Sequence, residues 1–267
     1  MASNTTSRVI TVANQKGGVG KTTTTINLAT ALAAVDRTVL IIDLDPQGNA
    51  STGLGIDKNR RRVSSYDLLT DQALLKEAVM PTAVPRLYVV PSTLDLLGAE
   101  MEIAAEPERA FKIRKAIEEY VPSPMRFDYI LIDCPPSLNL LTINAMAAAH
   151  SLLVPLQCEF FALEGLSQLL QTFEEVRSTI NPDLELHGIV LTMFDSRNNL
   201  ASQVVEDVRA FMGDKVYETI IPRNVRISEA PSYGKPAILY DLKCAGSQAY
   251  LRLASEVIKR ERKLAAA

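Results

Sequence analysis

Val9-Ile10-Thr11-Val12-Ala13-Asn14-Gln15-Lys16-Gly17-Gly18-Val19-Gly20-Lys21-Thr22-Thr23 decides the fold. The run Val9–Ala13 is β-branched and apolar and predicts a strand. The helical pattern Thr22–Ala34 follows, beginning near Lys21. A glycine-rich loop between a strand and a helix is a phosphate cradle. Glycines let the backbone curl so that several N–H groups point inward, and the new helix adds the positive end of its dipole. Lys21 is placed to reach terminal phosphates, and the Thr22 hydroxyl to ligate Mg²⁺. The general pattern would put a glycine at position 15, where this chain has Gln15. An extra lysine, Lys16, stands just before Gly17-Gly18.

Outward from the loop, short apolar runs alternate with helical stretches. The predicted strands are Val9–Ala13, Val39–Leu44, Leu87–Val90, Tyr129–Asp133, Leu152–Pro155, Ile189–Thr192 and Val216–Ile220. Several are continuous apolar runs, the pattern of strands covered on both faces. The predicted helices are Thr22–Ala34, Ala99–Tyr120 (interrupted at Pro107), Leu138–Ala149, Leu163–Thr179, Leu200–Met212 and Ser247–Lys263. Such alternation gives βαβ units and an α/β fold: a single doubly wound domain, its mostly parallel twisted sheet covered by helices on both faces. No linker or repeat divides residues 1–267, and only stretches 1–7 and 264–267 are set apart as termini. Arg60-Arg61-Arg62 reads as a solvated loop.

Two strand ends carry carboxylates. Leu40-Ile41-Ile42-Asp43-Leu44-Asp45-Pro46-Gln47-Gly48-Asn49 is the first, and Tyr129-Ile130-Leu131-Ile132-Asp133-Cys134-Pro135-Pro136-Ser137 the second. An apolar strand ending in Asp puts charge at the sheet's carboxyl edge, where α/β ligands bind. Phosphate-bound Mg²⁺ requires such oxygens, directly or through water.

The balance of 31 acidic and 28 basic residues, with 47% hydrophobic content, is that of a globular chain. It excludes disorder and a surface coated in DNA-binding charge, though not a local basic face. No apolar run approaches a membrane span and the start lacks a secretory pattern, so a cytoplasmic location is expected. Cys134, Cys158 and Cys244 are odd in number and unpaired in spacing, which fits a reducing compartment. His150 and His187 lie far apart on apolar stretches and read as structural.

The stretch Lys16-Gly17-Gly18-Val19-Gly20-Lys21-Thr22 resembles the deviant Walker A motif of the ParA/MinD family of P-loop ATPases. In the same likeness, Asp43-Leu44-Asp45-Pro46-Gln47-Gly48-Asn49 is similar to the family's switch I segment and Asp128–Ser137 to its Walker B. The resemblance runs from Val9 to about Leu253. It includes Leu156–Gly165 and Ile221–Ser232, which look specific to the chromosomal ParA (Soj) branch. The resemblance implies ATP and Mg²⁺ as ligands. Residues Lys16, Gly17, Gly18, Val19, Gly20, Lys21, Thr22 and Thr23 would hold the phosphates, and Thr22, Asp43 and Asp133 would surround the metal. Asp45 would orient the attacking water. Met193, Asp195, Pro222, Arg223 and Asn224 would lie around the adenine. Lys16 would cross an ATP-sandwiched homodimer to the partner's nucleotide, making hydrolysis conditional on dimerisation.

The same branch binds double-stranded DNA non-specifically as a dimer. That implies Arg197 and Arg226 as contacts, with Lys243, Arg252, Lys259, Arg260 and Arg262 as additions. Residues 243–263 hold six basic side chains against two acidic ones. Such contacts carry affinity but no sequence information, and a dimer doubles them. A ParB-type centromere-binding protein is the implied partner and the nucleoid the implied location. With only about eight residues before the first strand, a chromosomal rather than plasmid system is expected. A MinD-like membrane-associated positioning ATPase is the alternative, but the tail Lys259–Ala267 has a single large apolar residue and is a poor anchor. An iron–sulfur reductase would require cluster cysteines that are not in evidence. A non-enzymatic scaffold would not require Lys16, Lys21, Asp45 and Asp133 together.

Overall fold

A computed structural model describes residues 7–120 and 125–264, so the terminal stretches set apart in the sequence lie almost wholly outside it. Eight strands form one sheet: β1 (Arg8–Val12), β2 (Val39–Asp43), β3 (Met80–Pro81), β4 (Leu87–Val90), β5 (Tyr129–Asp133), β6 (Ser151–Gln157), β7 (Glu185–Phe194) and β8 (Val216–Pro222). Their order is β3-β4-β2-β5-β1-β6-β7-β8. Every pairing is parallel except β3 with β4. From β1 the chain moves to β2 on one side, and later from β5 to β6 on the other. The carboxyl end of β1 is therefore the switch point where such sheets bind ligands.

The helices are α1 (Lys21–Ala33), α2 (Asn49–Gly53), α3 (Ser65–Leu69), α4 (Leu75–Ala78), α5 (Leu96–Glu102), α6 (Lys112–Glu118), α7 (Leu140–Ala148), α8 (Ala162–Thr179), α9 (Asn199–Met212), α10 (Val225–Glu229), α11 (Ala237–Tyr240) and α12 (Ala245–Leu264). The apolar strands feed two cores, because alternate residues face opposite ways. Val9, Leu40, Ile42, Ile130 and Ile132 pack with Leu141, Leu166 and Val208 of α7, α8 and α9. Ile10, Val12, Val39, Ile41 and Leu131 pack with Leu28 and Leu32 of α1 and Leu253 and Val257 of α12.

The interruption expected at Pro107 within Ala99–Tyr120 separates two helices, α5 and α6. Pro107 lies between them; it lacks an amide and restricts the residue before it. The antiparallel edge strand β3 is two residues long and contains a proline, so it leaves no periodic signal. The arginine run is also not simply solvated. Arg61 is buried and donates to the carbonyls of Ile56 (2.8 and 3.1 Å) and Ser92 (3.0 Å). It also reaches the Thr52 hydroxyl at 2.8 Å. A buried guanidinium fork surrounded by carbonyls ties the segment after β2 to the end of β4.

Candidate nucleotide site

The loop between β1 and α1 takes left-handed backbone at Gly18 (φ 77°) and Gly20 (φ 90°), which glycine adopts without a Cβ penalty. Gly20 caps α1, and its carbonyl accepts from the Thr24 amide at 2.8 Å. Among the described residues, the amides of Lys21, Thr22 and Thr23 donate to no protein acceptor. A helix start with free donors beneath a glycine loop fits an anion. The loop is braced from the sheet. Asn14 donates to the Pro155 carbonyl (2.8 Å) and accepts from the Lys16 amide (3.0 Å). The Thr192 hydroxyl donates to the Val19 carbonyl at 2.8 Å.

The two lysines of the loop have different surroundings. Lys21 is buried and its ammonium donates to the Lys16 carbonyl at 3.0 Å. Burial holds it below the usual lysine range, opposed by Asp133, Cys134 and Asp45. The charge of a bound phosphate would relieve that penalty. Lys16 is partly exposed and its ammonium pairs with Glu159, just past β6.

Asp43 and Asp133 are register partners at the ends of β2 and β5. Thr22 donates to Asp133 at 2.7 Å, and Thr25 to its other oxygen at 3.0 Å. Asp43 accepts from the Ser51 amide (2.8 Å) and hydroxyl (2.7 Å) and from the Asp45 amide (3.2 Å). Both carboxyls are fully buried. Burial pushes Asp43 up to about 6. Burial first, and then the neighbouring Asp43, push Asp133 up to about 8. A divalent cation would add countercharge to this pair beyond that of its neighbours Lys21 and Arg61. Thr22, Asp133 and Asp43 would hold it, directly or through water, as the chemistry of hard oxygen donors suits Mg²⁺. Asp45 is buried next in line and accepts from the Gln47 amide at 2.9 Å. The turn continues through Gly48 (φ 61°), where a Cβ would lie 2.3 Å from Arg61.

The residues expected around the adenine converge. Phe194 of β7 is the register partner of Pro222 of β8, and the Arg223 amide donates to the Phe194 carbonyl at 2.9 Å. Met193 takes left-handed backbone (φ 52°), and its methyl is near Gly20. Asn224 caps α10 by accepting from the Arg226 amide at 3.0 Å. Asp195 is held by its own neighbour: Arg197 donates to both carboxylate oxygens, at 2.9 and 2.7 Å, and holds the carboxyl well below the usual carboxylate range.

The residues expected to contact DNA do not gather in one place. Arg226 pairs with Glu229 (3.1 Å) and Asp241 (3.6 Å), and the Lys243 amide reaches the same Asp241, so these two sit together. Arg252 is exposed midway along α12. Lys259 and Arg260 lie near its far end, roughly 25 Å from Lys243 at 1.5 Å per residue. There Arg260 stacks on Tyr217 (4.0 Å) and donates to the carbonyls of His187 (3.1 Å) and Val216 (2.9 Å). Those contacts lie at the amino ends of β7 and β8, the opposite sheet edge from the phosphate loop. Arg260 is thus engaged within the fold. His150 accepts from the Val9 amide (3.0 Å), and His187 sits between Tyr217 and Glu261. Sequence reasoning missed Thr25, Ser51 and Glu159. The first was legible in the threonine run after Lys21; the other two are brought in by tertiary pairing.

The sequence profile of a family described as an AAA domain matches residues 7–186. The chain is 60% identical over 255 residues to the chromosome partitioning protein ParA of Caulobacter vibrioides, covering 96% of this chain and 95% of the relative. It is 51% identical over 250 residues to the sporulation initiation inhibitor protein Soj of Bacillus subtilis, covering 94% and 98%. Among solved structures it is similar to one from Mycobacterium smegmatis described as cobyrinic acid a,c-diamide synthase with bound ATP analogue and magnesium. That likeness has a TM-score of 0.83 at 35% identity and covers 96% of each chain. The chain belongs to the ParA/Soj family of P-loop ATPases.

Proposed function

We propose that this chain is a chromosome-partitioning ATPase that dimerises around ATP and Mg²⁺, binds DNA without sequence preference and releases it on hydrolysis. ATP hydrolysis with Mg²⁺ follows from the family and agrees with the ligands of its solved neighbour. Phosphoryl transfer requires positioning and charge neutralisation rather than a covalent nucleophile. Lys21 binds the terminal phosphates from within. Mg²⁺, when bound, neutralises charge on their oxygens. Thr22, Asp133 and Asp43 hold its shell, and Asp45 orients the attacking water.

The observation that carries the dimer is the division of labour between the loop's lysines. Lys21 is buried against the Lys16 carbonyl, while Lys16 is partly exposed with Glu159 as its partner. A partly exposed ammonium on a phosphate loop is suited to a second copy's triphosphate. Two protomers double the phosphate contacts available to Arg226, Lys243 and Arg252, so ATP can switch DNA affinity. Arg197 joins them by breaking its pair with Asp195. A ParB-type centromere-binding partner speeds hydrolysis at the nucleoid. Among the described residues no helix is long and apolar enough to cross a membrane.

Asp45→Ala tests this reading. It keeps the phosphate cradle but loses water orientation, so light scattering should find a stable ATP dimer with phosphate release abolished. A monomer in ATP and Mg²⁺ would refute it. Arg226→Glu should keep turnover and lose DNA; DNA retention unchanged at low salt would remove Arg226 from the face.

A further inference from the structure

Helix α5 is apolar on two sides. Leu96, Ala99 and Ile103 point into the core. Leu94, Leu97 and Met101, spaced three and four residues apart, are 60%, 63% and 80% exposed. Leu97 and Met101, four residues apart, share one side of α5, and Leu94 stands in the turn just before the helix. A surface helix ordinarily presents polar residues on its outer side. Three large exposed apolar side chains in a row mark a contact surface. Acidic groups border the stripe. Asp95 and Glu102 are exposed beside it; among the described residues the Asp95 carboxylate accepts from the Thr93 hydroxyl alone. The Glu102 carboxylate, among the same residues, accepts from the Tyr66 hydroxyl alone. Glu100 is turned away to the Leu141 amide.

The stripe is wired to the candidate metal site. It begins two residues after Ser92, whose amide donates to the Ser51 hydroxyl oxygen at 3.1 Å. That hydroxyl donates to Asp43 at 2.7 Å. One residue earlier, the Pro91 carbonyl accepts from the Ser65 amide at 2.9 Å, and the Ser65 hydroxyl donates to the Asp43 carbonyl at 2.6 Å. Arg61 fastens the Ser92 carbonyl to the same segment. A displacement of α5 therefore reaches Asp43 and, two residues further, Asp45.

We propose that the apolar patch formed by Leu94, in the turn before α5, and Leu97 and Met101 of α5 docks a basic amphipathic helix of a partner protein, and that docking speeds hydrolysis through Ser92, Ser51 and Asp43. The acidic border selects the occupant. It repels the anionic surface of a lipid bilayer or of DNA and favours lysine or arginine flanking an apolar ridge. The inference rests on the ATPase reading above and names the surface on which that ATPase is stimulated.

Two labelled synthetic helices of about five turns test it. Both carry a leucine ridge; one has lysines on its polar face and the other glutamates. Each is titrated by fluorescence anisotropy against the full chain with ATP and Mg²⁺, with phosphate release and DNA co-sedimentation measured on the same samples. The lysine-faced helix should bind and raise phosphate release. Leu97→Lys and Met101→Lys should each weaken binding at least tenfold and abolish the stimulation, with basal turnover and unfolding midpoint unchanged. Equal binding of the glutamate-faced helix, or full binding to either variant, would overturn the proposal. Loss of the ATP dimer in these variants would overturn it as well, by assigning the face to a second copy. If ATP-dependent DNA retention persists while docking fails, this inference alone falls. If that retention is missing in the unaltered protein, the partitioning reading falls with it.

Discussion

Replacing Thr25 with valine removes one hydroxyl and keeps the branched shape. In the folded chain that hydroxyl is shared between the Lys21 carbonyl and Asp133, at 3.0 Å from each. Asp133 is fully buried and has one other hydroxyl donor, Thr22. A buried acceptor stripped of a donor costs about 1–3 kcal/mol, more when it is charged. Without nucleotide, the carboxyl avoids part of this by holding its proton, since burial has already raised it to about 8. Binding Mg²⁺ requires the ionised form, so the cost reappears there. At 1.4 kcal/mol per decade it corresponds to roughly five- to 150-fold weaker Mg·ATP binding. ATP without Mg²⁺ should bind nearly as before, and the defect should ease as pH rises. Thr25→Ser, which restores the donor, should rescue it. Isothermal calorimetry with and without Mg²⁺ across pH 6–9 reads all of these. Equal loss with and without metal, or none at all, would refute the role given to Thr25.

Lys21→Ala should abolish nucleotide binding, because the cradle loses its internal cation; retained ATP affinity by calorimetry would contradict this. The nucleotide-free protein should lose stability with rising pH. Asp43 and Asp133 have folded values raised above the unfolded one, so their neutral forms stabilise the fold at low pH. That contribution is lost as pH climbs through about 6 to 8. Thermal melts should therefore fall across that window and flatten with Mg·ATP; a melt rising there would reverse the sign. Gly246→Ala should destabilise by about 1–3 kcal/mol. Its Cβ would meet the Ile227 side chain at 2.1 and 2.6 Å and force α10 away from α12; an unchanged denaturation midpoint would disprove that packing.

The alternation of apolar runs and helices was enough to read the sheet, because strands covered on both faces are apolar throughout. The loop was legible because strand, glycines, lysine and threonines are contiguous. Asp43 and Asp133 announced themselves by ending apolar runs. What sequence reading lost depends on contacts between distant segments. Arg61 sits in a run that resembles surface charge, yet it is buried against carbonyls of Ile56 and Ser92. Ser51 and Glu159 acquire meaning only when tertiary pairing sets them beside Asp43 and Lys16. Arg260 belongs to a basic tail by composition and to a stack on Tyr217 by geometry. The break between α5 and α6, by contrast, was legible at Pro107.

DNA co-sedimentation with ATP, ADP and no nucleotide, across a salt series and beside sedimentation velocity, tests the central claim most directly. An ATP-linked dimer should retain DNA, with retention falling as salt rises, and the ADP and nucleotide-free protein should stay monomeric and unbound. A monomer in ATP and Mg²⁺ that retains DNA equally in all three states would contradict the account.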